Sequence, residues 1–396
     1  INALGEAVDG KQMLITETRR PVLRDSPGIT DRSPVDRYLH SGTKVIDVFV
    51  PLGKGQRQLI IGDRMTGKTV VAVDAILNQK GKDVVCIYCC IGKAMSALEK
   101  VVSVLNEQGA LEYTIVMLAL DIAPAGEQYL LPYAAASMGD HFAENGKDVL
   151  VVFDDLTKHA WAYRQLSLLL ERPPGREAYP GDIFYVHTQL MERAGRYCEK
   201  KGGGSMSFLA IAETLEGDLT GYIPSNLISM CDGLVFLSNT LLGEGVRPAV
   251  DFTLSVSIVG GRTQPSVLRA LTSDLRVQYA QYAEVAKLSK LQSSVSAEAD
   301  RVIKRGEAIM SIMQQPQYSP VSLAEDVMLA YAVHRGRLDG MGADRRKAFS
   351  KDIYGFARMK KPEALDRIAA ADGLTPDVER SLNEIIDGYF AGEGQT

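Results

Sequence analysis

The sequence predicts an α/β fold: a mostly parallel sheet with helices on both faces, followed by a C-terminal all-α helical domain. Two observations carry this. From Gln58 onward, apolar runs of strand length alternate with longer segments of helical period. Strands buried on both faces read as such continuous apolar runs rather than as alternating residues. Beyond Thr263 the texture changes: the only glycine before Arg335 is Gly306, and apolar residues recur at steps of three and four, the spacing of one helix face. With 396 residues, 46% of them apolar and 23% charged, the chain is long enough for two or three domains with a sizeable core.

Residues 1–55 are rich in turn formers, among them Gly5, Gly10, Pro21, Pro27, Pro34, Gly42, Pro51 and Gly53, and contain short apolar pieces such as 45–50. They read as an irregular lead-in to an α/β domain at 56–265. In that domain the expected strands are 59–61, 84–91, 114–120, 149–153, 207–211 and 234–237, with a helical run at 70–77 after the first. A helical domain at 266–396 follows, opening with a face made by Leu268, Leu271, Leu275, Tyr279, Tyr282 and Val285.

Composition excludes several functions. Lys and Arg number 44 against 49 Asp and Glu, a net charge of −5, so no long-range field draws the chain to nucleic acid or an anionic membrane. Five cysteines, an odd number, lie at Cys86, Cys89, Cys90, Cys198 and Cys231 and fit a reducing compartment better than a disulfide framework. Cys86 and Cys89 have CxxC spacing, but inside an apolar run where small buried thiols are expected. No apolar stretch reaches the roughly 18 residues of a membrane helix, and no signal peptide opens the chain. An intracellular protein is expected, attached to a membrane only through partners. The first residue, Ile1, points to a fragment or a processed chain.

The strongest chemical signal is Gly62-Asp63-Arg64-Met65-Thr66-Gly67-Lys68-Thr69. It fits G-x-x-x-x-G-K-[ST] between an expected strand and an expected helix, as a phosphate-binding P-loop requires. Backbone amides of such a loop point at phosphate oxygens, Lys68 reaches the β and γ phosphates, and Thr69 holds Mg²⁺. Asp154 ends the apolar strand 149–153 and fits the second Mg²⁺ position. Taken alone, an aspartate there also reads as a helix N-cap. Hydrolysis needs in addition a group that positions water, often a carboxylate at the end of the strand after the loop. That strand ends at Ile91-Gly92-Lys93, and a charged lysine cannot accept a proton. The residues describe a site that binds nucleotide and turns it over poorly.

These motifs, with Asp154-Asp155-Leu156-x-Lys158, Arg172-Pro173-Pro174-Gly175-Arg176-Glu177-Ala178-Tyr179-Pro180-Gly181-Asp182 and Gln317-Tyr318-Ser319-Pro320, resemble the alpha subunits of F-type rotary ATP synthases over the whole chain. The resemblance implies a RecA-like P-loop domain and a small N-terminal β-barrel that this sequence lacks. It implies a non-catalytic site for ATP or ADP with Mg²⁺, and a ring in which alpha and beta subunits alternate, three of each, around a central rotor shaft with a peripheral stalk. The complex would sit peripherally on the inner, energy-coupling membrane, on its cytoplasmic or matrix face, with no membrane span in this chain. By position, Gly62, Asp63, Arg64, Met65, Thr66, Gly67, Lys68, Thr69 and Val70 would cradle the phosphates. Arg247, Pro248, Gln315 and Gln317 match positions around adenine and ribose, and Ser229 and Gly233 match positions facing the neighbouring beta site.

Three departures from the family pattern stand out. Ile258, in Ser255-Val256-Ser257-Ile258-Val259-Gly260, replaces an arginine that reaches the γ-phosphate on beta. An arginine finger is worth about 10³ to 10⁵ in rate, so no confident catalytic residue remains in this chain, and Arg262 is a possible substitute of unread direction. Lys93 replaces a glutamine that contacts the metal's water shell; a cation there would repel Mg²⁺ or pair with a phosphate. Met65 replaces a glutamine in the loop, a milder change because that position contributes mainly its backbone. Two other readings stay open: a divergent alpha-like ring subunit with a structural role, and a standalone hexameric ATPase of the export type or an RNA helicase. Lys93 and Ile258 argue against the standalone ATPase, and the acidic balance argues against RNA.

Overall fold

The apolar runs become strands. In the computed structural model, which describes residues 1–10, 16, 18–289 and 296–393, the central strands are β1 (Arg57–Gly62), β2 (Val84–Ile91), β3 (Thr114–Ala119), β4 (Asp148–Asp154), β5 (Ser205–Glu213), β6 (Gly233–Leu237) and β7 (Val256–Ser257). Among the described residues they belong to a nine-stranded sheet, in the order β7-β6-β1-β5-β4-β2-β3. Strands β1 to β6 pair in parallel, and β7 runs antiparallel to β6. The remaining two strands are Arg32–Ser33 and Gly195–Tyr197, the latter antiparallel to β5. Helices α1 (Lys68–Leu77), α2 (Met95–Glu107), α3 (Ala125–Glu144) and α4 (Leu156–Leu169) follow β1, β2, β3 and β4 in turn. The expected α/β architecture, mostly parallel, is the one observed.

Burial explains why the strands lack alternation. Strand β4 is buried at every residue after Asp148, and β5 at every residue before Glu213. Leu59, Ile61, Ile87, Cys89, Val151, Phe153 and Phe208 share one core cluster, in which the Phe153 and Phe208 rings meet edge to face at 4.8 Å. Cys86, Cys89 and Cys90 are free thiols with no solvent exposure, acting as small hydrophobes within β2.

Two compact units emerge: residues 1–41 with 52–263, and residues 42–51 with 264–396. In the second, the piece 45–50 that reads as part of an irregular lead-in forms the helix Lys44–Phe49, buried at every residue. Its Lys44 ammonium donates to Ser350 Oγ at 3.1 Å and pairs with Glu325 at 3.7 Å. The face from Leu268 to Val285 does not lie on one helix. It divides into Ser266–Thr272 and Leu275–Ser289, because Ser273 and Asp274 interrupt it, residue types whose side chains compete for backbone hydrogen bonds. Helix Leu275–Ser289 is followed by Ala297–Met313, where Gly306 permits a close approach: a Cβ there would lie 1.9 Å from Tyr282 Cγ.

Candidate nucleotide site

Register brings the C-terminal ends of the central strands together, placing Gly62 opposite Glu213 and Cys90 opposite Asp154. Ligands bind at this edge of open α/β sheets. At the end of β1, a Cβ on Gly62 would sit 2.5 Å from the Leu237 carbonyl oxygen, so glycine alone lets the loop pass. Gly67, at the N-cap of α1, has φ +99°, a left-handed conformation that favours glycine. With no side chain there to cap the helix, the first amides of α1 face outward at the positive end of its dipole, a ready anion site.

Internal bonds hold the loop open. Asp63 accepts from Thr214 Oγ1 at 2.6 Å, from the Gly217 amide at 2.9 Å and from Asn239 Nδ2 at 2.5 Å. Thr66 Oγ1 donates to the Asp63 carbonyl at 2.8 Å. The Arg64 guanidinium, largely exposed, pairs with Glu213 at 3.0 Å, Met65 is exposed, and Val70 is half-buried on α1. Buried Lys68 donates to the carbonyls of Gly62 at 2.9 Å and Asp63 at 2.6 Å, which folds its ammonium over the cradle. Burial lowers the Lys68 pKa, and the Glu213, Asp155 and Asp154 carboxylates oppose that shift.

Across the sheet edge, Asp154 has no solvent exposure. Its Oδ2 accepts from Thr69 Oγ1 at 2.8 Å and from the Tyr88 hydroxyl at 2.7 Å. The Lys93 ammonium forms an ion pair with the same carboxylate and donates to Thr69 Oγ1 at 3.1 Å. Burial works against the charged form of Lys93, but Asp154 and Asp155 outweigh it and the net shift is upward. Thr69 and Asp154, the residues expected to hold Mg²⁺, are therefore together, with an ammonium bridging them. A set so arranged does not fit Mg²⁺, which needs oxygen ligands in octahedral array. The N-cap role falls to the next residue: Asp155 Oδ1 accepts from the Lys158 amide at the start of α4 at 2.8 Å. Burial and the adjacent Asp154 push Asp155 up to about 7.

The other residues singled out by sequence are more dispersed. Arg247 is exposed and Pro248 half-buried, just before the bridge of Val250 to Leu237, itself the partner of Gly62. Ser229 is exposed, and its hydroxyl donates to the Asn226 carbonyl at 2.7 Å. Gly233 is buried within the sheet, where a Cβ would lie 2.2 Å from Gln58 Oε1. Ile258 is 75% exposed, and Arg262 is exposed on the short helix Gly260–Thr263. Gln315 and Gln317 belong to the other unit. There the Gln315 amide donates to the carbonyls of Gly42 at 2.7 Å and Ser319 at 2.8 Å and accepts from the Lys44 amide at 2.9 Å, while Gln317 is exposed. Sequence reasoning missed Tyr88 and Glu213; Tyr88 could have been found from its place two residues before Cys90, on the same side of β2.

A phosphate cradle of this geometry occurs in many families, and the whole chain distinguishes among them. Residues 42–257 match the ATP synthase alpha/beta family, nucleotide-binding domain, and residues 264–389 match the ATP synthase alpha/beta chain, C terminal domain. The chain belongs to the ATP synthase alpha/beta family. Within that family it is of the alpha type. It is 44% identical to ATP synthase subunit alpha 1 of Nitrosospira multiformis over 98% of its own length and 78% of that protein. Against ATP synthase subunit alpha of Petrotoga mobilis the identity is 43%, and against that of Clostridium botulinum 45%, each over 98% of this chain and 77% of the relative. It is thus an alpha-type, nucleotide-binding subunit of an ATP synthase, an enzyme complex associated with membranes. Among the described residues no helix is long and apolar enough to cross a membrane.

Proposed function

We propose that this alpha-type ATP synthase chain holds ATP or ADP at a non-catalytic, regulatory site formed by Gly62 to Val70, and contributes structure rather than chemistry to a neighbouring catalytic site. One observation carries the reading: the cradle is complete, yet the strand end that would supply a water-positioning carboxylate supplies Lys93, already bound to Asp154. In this reading Lys68 contacts the β and γ phosphates and the α1 amides hold their oxygens. Arg247 and Pro248 lie toward the nucleoside. Gln315 and Gln317 are assigned to the base and ribose by family position alone. The Thr69 and Asp154 pair, bridged by the Lys93 ammonium, does not fit Mg²⁺ as it stands.

The proposed assembly is a ring in which this chain alternates with beta subunits around a central shaft, held by a peripheral stalk on the energy-coupling membrane. Ser229 and Ile258, both exposed, would face the beta site, whereas Gly233 is buried within the sheet. The exposed Ile258 side chain places no positive charge there, so the γ-phosphate of a nucleotide on beta would lack a finger from this chain. The experiment is equilibrium binding of ATP to the chain and to its Lys68→Ala variant. Removing the ammonium should weaken binding by about 100-fold, since charge-assisted contacts to phosphate are among the strong ones. Equal affinity in the two proteins would overturn the assignment of the loop.

A further inference from the structure

Lys93 leaves the end of β2 directly after Gly92, whose φ is +59°. Its side chain is only 19% exposed. The ammonium reaches two particular oxygens: Thr69 Oγ1 at 3.1 Å and the buried carboxylate of Asp154. These are the hydroxyl and the carboxylate that a phosphate loop otherwise presents to a divalent cation. Lys93 pairs with Oδ1 of that carboxylate, while Oδ2 accepts from both Tyr88 at 2.7 Å and Thr69 at 2.8 Å, so neither oxygen is left to turn toward a metal.

Building on the nucleotide site proposed above, we propose that the Lys93 ammonium is a built-in replacement for the divalent cation, and that this chain takes a nucleoside di- or triphosphate free of Mg²⁺. The chemistry is consistent at each atom. An ammonium carries three N–H donors; Thr69 and Asp154 take two, and among the described residues the third remains for a phosphate oxygen. Lys93 cancels the Asp154 charge, leaving Lys68 and the α1 amides to meet the polyphosphate. A hydrated Mg²⁺ would have to displace a tethered cation from the oxygens it shares, against the repulsion between them. The arrangement also fits retention without turnover: a tethered ammonium can donate to a phosphate oxygen but cannot carry or orient a ligand water as a metal does.

The test uses the full chain and ATP itself as the probe, titrated calorimetrically in excess EDTA and again with saturating Mg²⁺. Because saturating Mg²⁺ sequesters ATP, apparent binding to the parent chain should be about tenfold or more weaker with Mg²⁺ than in EDTA. Lys93→Gln should instead bind about tenfold or more weakly than the parent in EDTA and gain affinity with Mg²⁺. Mn²⁺ in place of Mg²⁺ should give no spin signal from metal immobilised with ATP on the parent chain, and such a signal on Lys93→Gln. Parent binding that is as tight or tighter with Mg²⁺ would overturn the replacement while leaving the nucleotide site intact. Binding under neither condition would overturn the nucleotide site itself, a separate outcome. Should Lys93→Gln prove unfolded by circular dichroism, the two titrations of the parent chain still decide.

Discussion

The corner around Asp154 and the segment from Asp251 to Thr263 each carry a departure from the alpha-subunit pattern, and the two are housed in opposite ways. Lys93 is mostly buried, paired with a carboxylate and bonded to a hydroxyl. Ile258 stands 75% exposed, tied down by its backbone, whose amide donates to the Asp232 carbonyl at 2.9 Å. A charge brought into a buried place must find partners or unfold its surroundings, so Lys93 reads as part of a rebuilt site. An apolar residue on an exposed edge asks nothing of its neighbours. On the reading proposed above, the first departure changes what the chain binds and the second removes what it would lend to a neighbouring subunit.

Ile258→Arg is the strongest attempt on that contrast. In a ring reconstituted with beta subunits, hydrolysis should rise by about 10³-fold or more, the effect of a restored finger. The unfolding free energy should move by no more than about 0.5 kcal/mol, because the position is exposed. An unchanged rate would mean that Arg262 or a partner already supplies the charge, or that the segment does not face the beta site.

Acid should act on the first region rather than the second. His159, fully buried on α4, the helix that Asp155 caps, is lowered to about 4 by burial, partly opposed by its bond to the Tyr129 carbonyl. Burial lowers His187 beside it as well. Since the unfolded histidine takes up its proton near pH 6.5, this contribution is present in full above that value and is lost as pH falls toward 4. For His159 it amounts to about 3 kcal/mol at most. Asp155 and Glu325, both raised by burial to about 7, act in the opposite sense over the same window. The His159 share is therefore the difference between the parent and His159→Gln in urea unfolding at pH 7 and pH 5, the variant losing less stability on acidification. A pH dependence that is the same in the parent and in His159→Gln would contradict the assignment.

Much of the fold was legible because burial writes itself into composition. Strand Val84–Ile91 is found where the apolar run lies, since a strand covered on both faces has no polar residue to blur its ends. Strand β1 extends beyond 59–61 because its end positions are Arg57 and Gly62, residues chosen for an ion pair with Asp232 and for a tight turn. The helix Lys44–Phe49 was not legible: six residues are too few to show a period, and its burial comes from residues far along the chain. The spacing from Leu268 to Val285 reads as one helix face, and Ser273 and Asp274 are the break between two helices.

The site divides along the same line. Gly62 to Thr69 is contiguous, and each residue type has a local reason, so the sequence suffices. The bond from Tyr88 to Asp154 depends on the register of β2 against β4, which no local pattern encodes. Lys93 was visible as the wrong residue for a base, but its partners, and hence its use, appear only when the strand ends are side by side.

The central claim is that this chain grips a triphosphate it does not break. The most direct measurement is to load the purified chain with radiolabelled ATP, remove the excess, and analyse the nucleotide that remains bound after prolonged incubation. The account predicts bound nucleotide recovered as ATP. Recovery as ADP with released phosphate, or no retained nucleotide at all, would contradict it.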